Sequence, residues 1–228
     1  MRIDEMAIGV LASGNGSNLQ ALLDQDLGAP ISVVIANRPG ARALERAERA
    51  GVPAVLIDHT RFDTREGFDR ALVEELQRRN VSWVVLAGFM RLIGAPMLEA
   101  FPRRIVNIHP SLLPSFPGLH AQRQAIAARV LISGCTVHLV DAGTDTGPVL
   151  AQAAVPVHPG DDEEQLSRRI LEREHQLLPA VVRALVQGGL TARSDGWAHL
   201  AGGLQIDDAE AGSWTFAPRV TGQERRPA

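Results

Sequence analysis

The chain has 228 residues, 45% apolar and 21% charged. That composition reads as an ordinary globular protein with a sizeable core, built as one domain with at most a small addition. A formal net charge of −3 argues against a general nucleic-acid-binding surface, and no 18-residue apolar run or leader pattern implies a membrane, so a cytoplasmic location is expected. The 23 basic side chains are all arginine, which excludes lysine Schiff-base chemistry and any phosphate loop that needs a lysine. Cys135 is the sole cysteine, which excludes an internal disulfide and a cysteine-rich zinc site.

Ala7 to Ser13 is a compact apolar run of the kind that forms a buried parallel strand. Gly14-Asn-Gly-Ser-Asn18 follows, and Leu19, Leu22 and Leu23 then recur at helical spacing. The pattern is strand, glycine-rich turn, helix start. Ser17 or Asn18 is placed to cap the helix, and the amides around Gly16 and Ser17 would favour an anion. A third glycine is missing, and the second strand, Ile31 to Ala36, runs into Asn37-Arg-Pro-Gly40 without an acidic residue. A nicotinamide dinucleotide is therefore not expected.

The alternation continues with a helix from Ala41 to Ala50 closed by Gly51, and a strand from Ala54 to Ile57. Asp63-Thr-Arg-Glu66 reads as a capping box opening a helix to about Arg79. Trp83 to Ala87 and Ile105 to His109 are further strands. Ala121 to Arg129 reads as a helix, and Val137 to Val140 and Val149 to Val157 as strands. A long helix follows from Asp161, capped with Glu164, to about Gln187, and Pro179 should kink or break it. Trp197 and Trp214 are placed to pin a weakly patterned tail that frays from Gly222. The fold expected is α/β, a doubly wound, mostly parallel sheet over residues 1–190 with an extension over residues 191–228. In such sheets ligands gather at the carboxyl ends of the strands.

Val106 to Gly118 is the most informative stretch. Residues two apart on a strand share a face, so Asn107 and His109 project together from the end of a buried strand. Pro110 ends that strand, and Pro114 and Pro117 stiffen the loop after it. A polar pair held beneath a rigid loop suits an active site. Asp145 lies in the loop Asp141-Ala-Gly-Thr-Asp145, where an aspartate also serves as a turn former. His138 reads as a core or supporting group. Arg91, at a strand end, suits an anionic or carbonyl-bearing ligand. No histidine pair has the helical spacing of a zinc site, and no Gly-x-Ser-x-Gly elbow occurs.

Four segments together, Ser13-Gly-Asn-Gly-Ser-Asn-Leu-Gln20, Leu86-Ala-Gly-Phe-Met-Arg91, Asn107-Ile-His-Pro-Ser-Leu-Leu-Pro114 and Asp145-Thr-Gly-Pro148, closely resemble the phosphoribosylglycinamide formyltransferase family. The resemblance runs from about Ala7 to Leu185. It implies a Rossmann-like formyltransferase fold, the folate donor 10-formyltetrahydrofolate, the acceptor glycinamide ribonucleotide, and no ATP or metal. It also implies a catalytic trio at Asn107, His109 and Asp145, and a substrate phosphate on Gly16, Ser17 and Asn18. The substrate ribose would meet Glu174. The donor cleft would be bordered by Met90, Arg91, Leu92, Ile93, the Asp141–Asp145 loop and Arg65, with Asn107 facing it.

The family's Leu–Pro bond, which can be cis, falls at Leu113–Pro114. A monomer or homodimer acting on small molecules, without nucleic acid, is implied. Asp145 is followed by Thr146-Gly147 where some members carry two glycines, and the tail after Arg193 is poorly matched. Formyltetrahydrofolate hydrolase and a non-catalytic nucleotide-binding module are the alternatives. Methionyl-tRNA formyltransferase fits less well, since it carries a further domain and binds tRNA.

Overall fold

A computed structural model describes residues 6–192, 198–200, 204 and 214–216. Five parallel strands form its first half: β1 (Ile8–Ala12), β2 (Ile31–Ala36), β3 (Ala54–Leu56), β4 (Trp83–Leu86) and β5 (Ile105–His109). They lie in the spatial order β3-β2-β1-β4-β5, so the chain reverses its direction of growth between β1 and β4. The sheet then changes character. β6 (Ile132–Leu139) returns antiparallel against β5, β7 (Val149–Pro156) pairs antiparallel with β6, and β10 (Trp214–Phe216) adds to the edge of β7. A separate antiparallel pair, β8 (Leu190–Ala192) and β9 (Ala198–Leu200), follows the last helix.

The apolar runs are continuous because both faces of the sheet are covered. Neighbouring strand residues divide between two clusters. Val10, Val34, Val85 and Val106 pack on one face, while Leu11, Val33, Val84 and Ile105 pack on the other. The first cluster takes in Leu19 and Leu22 of α1 (Ser17–Leu23), Ala43 and Ala47 of α2 (Arg42–Arg49), and the apolar side of α6 (Glu163–Val186). The second takes in Phe68, Leu72 and Leu76 of α3 (Arg65–Arg78) and Met97 of α4 (Ala95–Ala100). α5 (Ala121–Ala127) contributes Ala125 to the first.

Several local expectations need correction. Thr64, in extended backbone one residue after Asp63, caps α3 by accepting a bond from the Gly67 amide at 3.0 Å. The capping box of α6 is Asp162 with Gln165, bonded at 2.7 and 2.9 Å. Asp161 instead holds Arg169 at 2.8 Å, which keeps its carboxyl at about 2. α6 also runs unbroken through Pro179. Leu177, Leu178, Val181 and Val182 are buried on either side of it, and that packing holds the helix together across the missing amide.

β6 starts at Ile132, five residues before the periodicity places it, because Ser133, Gly134 and Cys135 are poor strand signals. α4 is too short for helical periodicity to show, and Pro96 sits in its first turn. Trp197 and residues 222–228, on which the anchoring and fraying of the tail were expected, lie outside the described residues. Trp214 begins β10.

Losing the box at the start of α6 removes one side-chain bond to an otherwise unpaired amide. Asp162→Ala should lower unfolding stability by about 1 kcal/mol in a urea titration. An unchanged midpoint would contradict this account of the cap.

Candidate active site

β5 carries Asn107 and His109 to the carboxyl end of the sheet. The antiparallel register of β6 sets His138 directly opposite Asn107 and Thr136 opposite His109. Side chains opposite one another across a pair of strands share a face, so β6 adds a second histidine to the polar pair. His138 Nδ1 donates to the Leu139 carbonyl at 2.9 Å, which leaves Nε2 to accept from Asn107 Nδ2 at 3.1 Å. The Asn107 amide is thereby oriented, with one N–H still uncommitted in that pairing.

Asp145 closes the group from the loop between β6 and β7. It adopts a left-handed backbone, φ 55°, which aspartate tolerates better than most residues. Its Oδ2 lies 3.3 Å from His109 Nδ1 and accepts from the Gly118 amide at 2.8 Å. Its Oδ1 lies 3.6 Å from His138 Nε2. Burial pushes the carboxyl up, but the His138 and His109 rings, when charged, and the Gly118 amide outweigh it and hold Asp145 below the usual carboxylate range.

His109 itself is 5% exposed. Nε2 contacts the Phe116 carbonyl at 2.9 Å, so both ring nitrogens face oxygens that can only accept. Protonation of both would satisfy both. Burial nonetheless wins: it holds the ring below the ordinary histidine value, against the Phe116 bond and the Asp145 charge, which favour the imidazolium.

The rigid loop after β5 is fastened from β6 and β7. Thr136 Oγ1 donates to the Ser111 carbonyl at 2.6 Å and accepts from the Leu113 amide at 3.0 Å. Gln152 Nε2 reaches the Leu113 carbonyl at 2.9 Å. The Leu113–Pro114 peptide is cis.

At the end of β1, Gly16 is the N-cap of α1 with φ 72°, and neither Ser17 nor Asn18 caps the helix. A Cβ on Gly16 would lie 2.8 Å from Ala43 Cα, so conformation and space both require glycine. Arg46 Nε donates to the Asn15 carbonyl at 2.8 Å, which puts a cation beside the turn. Asn18 turns inward and donates to Glu174 Oε2 at 2.7 Å. Glu174 is 6% exposed. Burial raises its carboxyl to about 7 despite the Asn18 bond.

At the end of β4, the Met90 amide donates to Ser13 Oγ at 2.7 Å, and the Ser13 amide to the Gly88 carbonyl at 3.1 Å. These bonds join the β1 and β4 loops. Met90 and Leu92 are exposed while Ile93 is buried. Arg65 NH2 donates to the Ile93 carbonyl at 2.8 Å, and the Arg91 guanidinium lies 5.4 Å from the centre of the Phe68 ring.

Asn107, His109 and Asp145 thus meet in one group, while Arg65 and Glu174 belong to flanking groups on α3 and α6, bonded to Ile93 and to Asn18. Ser13, Thr136, Gln152 and the contacts of His138 were not singled out from the sequence. Only the register of β5 on β6 would have signalled Thr136 and the partners of His138.

A profile of the formyl transferase family matches residues 6–182. The trifunctional purine biosynthetic protein adenosine-3 of Drosophila pseudoobscura pseudoobscura is 48% identical over 82% of this chain, which spans 14% of that protein's length. The phosphoribosylglycinamide formyltransferase of Bacillus subtilis is 40% identical over 82% of this chain and 96% of its own length. Glycinamide ribonucleotide transformylase 1 from Symbiobacterium toebii superposes with a TM-score of 0.84 at 51% identity, over 86% of this chain and 94% of that one.

Glu174 binds its proton more tightly folded than unfolded, so its contribution to stability is greatest below about 4.5 and is lost as pH rises to about 7. Glu174→Gln should therefore be more stable than the parent above pH 7, by on the order of 3 kcal/mol, and the difference should vanish near pH 4. Urea titrations at the two pH values measure it. A constant difference would contradict the burial argument.

Proposed function

This chain belongs to the formyl transferase family, and from that premise we propose that it transfers the formyl group of 10-formyltetrahydrofolate to the amine of N1-(5-phosphoribosyl)glycinamide, a step of purine biosynthesis. The observation that carries the proposal is the 3.3 Å approach of His109 Nδ1 to Asp145 Oδ2, beside an Asn107 amide oriented by His138. Such a group suits an acyl transfer in which negative charge develops on a carbonyl oxygen and one proton must move.

The neutral amine attacks the formyl carbon, and the carbonyl becomes a tetrahedral oxyanion. Asn107 donates its uncommitted N–H to that oxygen. His109 holds the proton lost by the amine in transit as charge develops, and the Asp145 carboxylate beside it stabilises the imidazolium. The proton lost by the amine passes by way of Asp145 and water to the departing folate nitrogen. The new C–N bond forms, the bond to folate breaks, and the formyl group arrives already activated, without ATP or metal.

The Gly16–Asn18 turn, with Arg46 beside it, suits the substrate phosphate, and Glu174 suits the ribose hydroxyls. Met90 to Ile93 and Arg65 border the donor. A cytoplasmic setting fits these soluble small-molecule substrates, and among the described residues no helix is long and apolar enough to cross a membrane.

Purified protein given both substrates should release tetrahydrofolate. Asn107→Ala should lower kcat by about 100- to 1,000-fold, the usual cost of losing an oxyanion donor. His109→Ala should lose most of the rate while its circular dichroism stays that of the parent. Unimpaired turnover by His109→Ala would overturn its assigned role. Consumption of the formyl donor without the amine acceptor would identify a hydrolase instead.

A further inference from the structure

α3 buries a carboxylate that the mechanism does not use, Asp69. Asp69 is 1% exposed, between Phe68 and Leu72 of the apolar cluster on that face. Its Oδ2 accepts a hydrogen bond from the Gly94 amide at 2.8 Å, and Oδ1 has no hydrogen-bond partner among the described residues. Burying a carboxylate with a single direct bond costs stability, and an apolar side chain would serve the core better. Desolvation accordingly raises its carboxyl above the ordinary value, against the Gly94 bond and the charges of Arg65 and Arg91.

What Asp69 holds is the loop after β4. Gly94 fits it closely: a Cβ there would lie 2.5 Å from Asp69 Oδ2. Two neighbours on the same helix face grip the same loop. Arg65 bonds the Ile93 carbonyl, and Phe68 underlies the Arg91 guanidinium. Residues 65, 68 and 69 stand at the i, i+3, i+4 spacing of one helix face, and they hold residues 93, 91 and 94. Met90 and Leu92 stay outward, 57% and 54% exposed.

We propose that Asp69 is a positioning residue for the folate donor, acting through its bond to the Gly94 amide to fix the loop from Met90 to Gly94. The proposal rests on reading that loop as the border of the donor site. Asp69 touches no reacting atom. Its work is to hold the outward residues in place before the donor arrives, so that binding does not have to order them.

The test is steady-state kinetics with each substrate varied in turn. Asp69→Ala should raise the donor KM about tenfold, as expected for one lost buried bond to the loop, and leave the acceptor KM at its parent value. Asp69→Asn keeps an acceptor for the Gly94 amide and should stay within about twofold of the parent donor KM. Gly94→Ala, which crowds the same bond, should reproduce the alanine effect should Asp69→Ala fold poorly.

An unchanged donor KM in both Asp69→Ala and Gly94→Ala overturns the proposal. So does an equal rise in both KM values, or an asparagine variant as impaired as the alanine one. Parent protein without any formyl transfer would refute the functional reading instead. In that event amide exchange at residues 90–94 decides: faster exchange confined to that loop in Asp69→Ala supports the anchor, and unchanged exchange overturns it.

Discussion

Asp145 reaches His109 from the loop after β6, a strand that turns back antiparallel on β5. A sixth parallel strand would have required a long crossover and would not have set His138 in the observed register with Asn107. The return brings His138 opposite Asn107, and the loop of residues 140–148, which starts beside Ile105, reaches along the strand to set Asp145 against His109. The rest of the site hangs on that reversal. The Gly118 amide and the imidazole of His109 both meet Asp145 Oδ2, so one carboxylate ties the loop after β5 to the loop after β6. Thr136 and Gln152 fasten the same loop from β6 and β7.

The parallel half of the sheet does a different job. Its direction changes between β1 and β4, and the carboxyl ends of those two strands carry the Gly16 turn and the Met90 loop. The Ser13 hydroxyl and backbone stitch the two loops together. On the proposed function, the site is a binding half on parallel strands joined to a chemical half on an antiparallel return. Both halves bury polar groups tied to specific partners: Asn18 to Glu174, Asp69 to Gly94, His109 to Asp145. Such groups destabilise the core when left unpaired and rigidify a site when satisfied.

Much of this was legible in the chain. The five parallel strands announced themselves as apolar runs between glycine turns, and β5 was bounded correctly because Pro110 ends it. Asn107 and His109 were readable as a pair from the two-residue period alone. Asp145 was not, since an aspartate between glycines looks like any turn former, and only the family resemblance named it. His138 was readable as a supporting group, but its partners were not, since strand register sets them and no local pattern encodes it. Pro179 misled because helix propensity is local while α6 is held by the core on both sides of the proline. Nothing in the chain singled out Asp69, and its burial became visible only once α3 lay over the loop after β4.

The account stands on His109 and Asp145 acting as one unit. A double-mutant cycle on kcat/KM, with His109→Ala, Asp145→Ala and the pair, tests that directly. If the two act together, the double variant should be scarcely slower than the worse single variant, because the second substitution removes a partner already without work. Losses that add in full would show two independent residues and contradict the account.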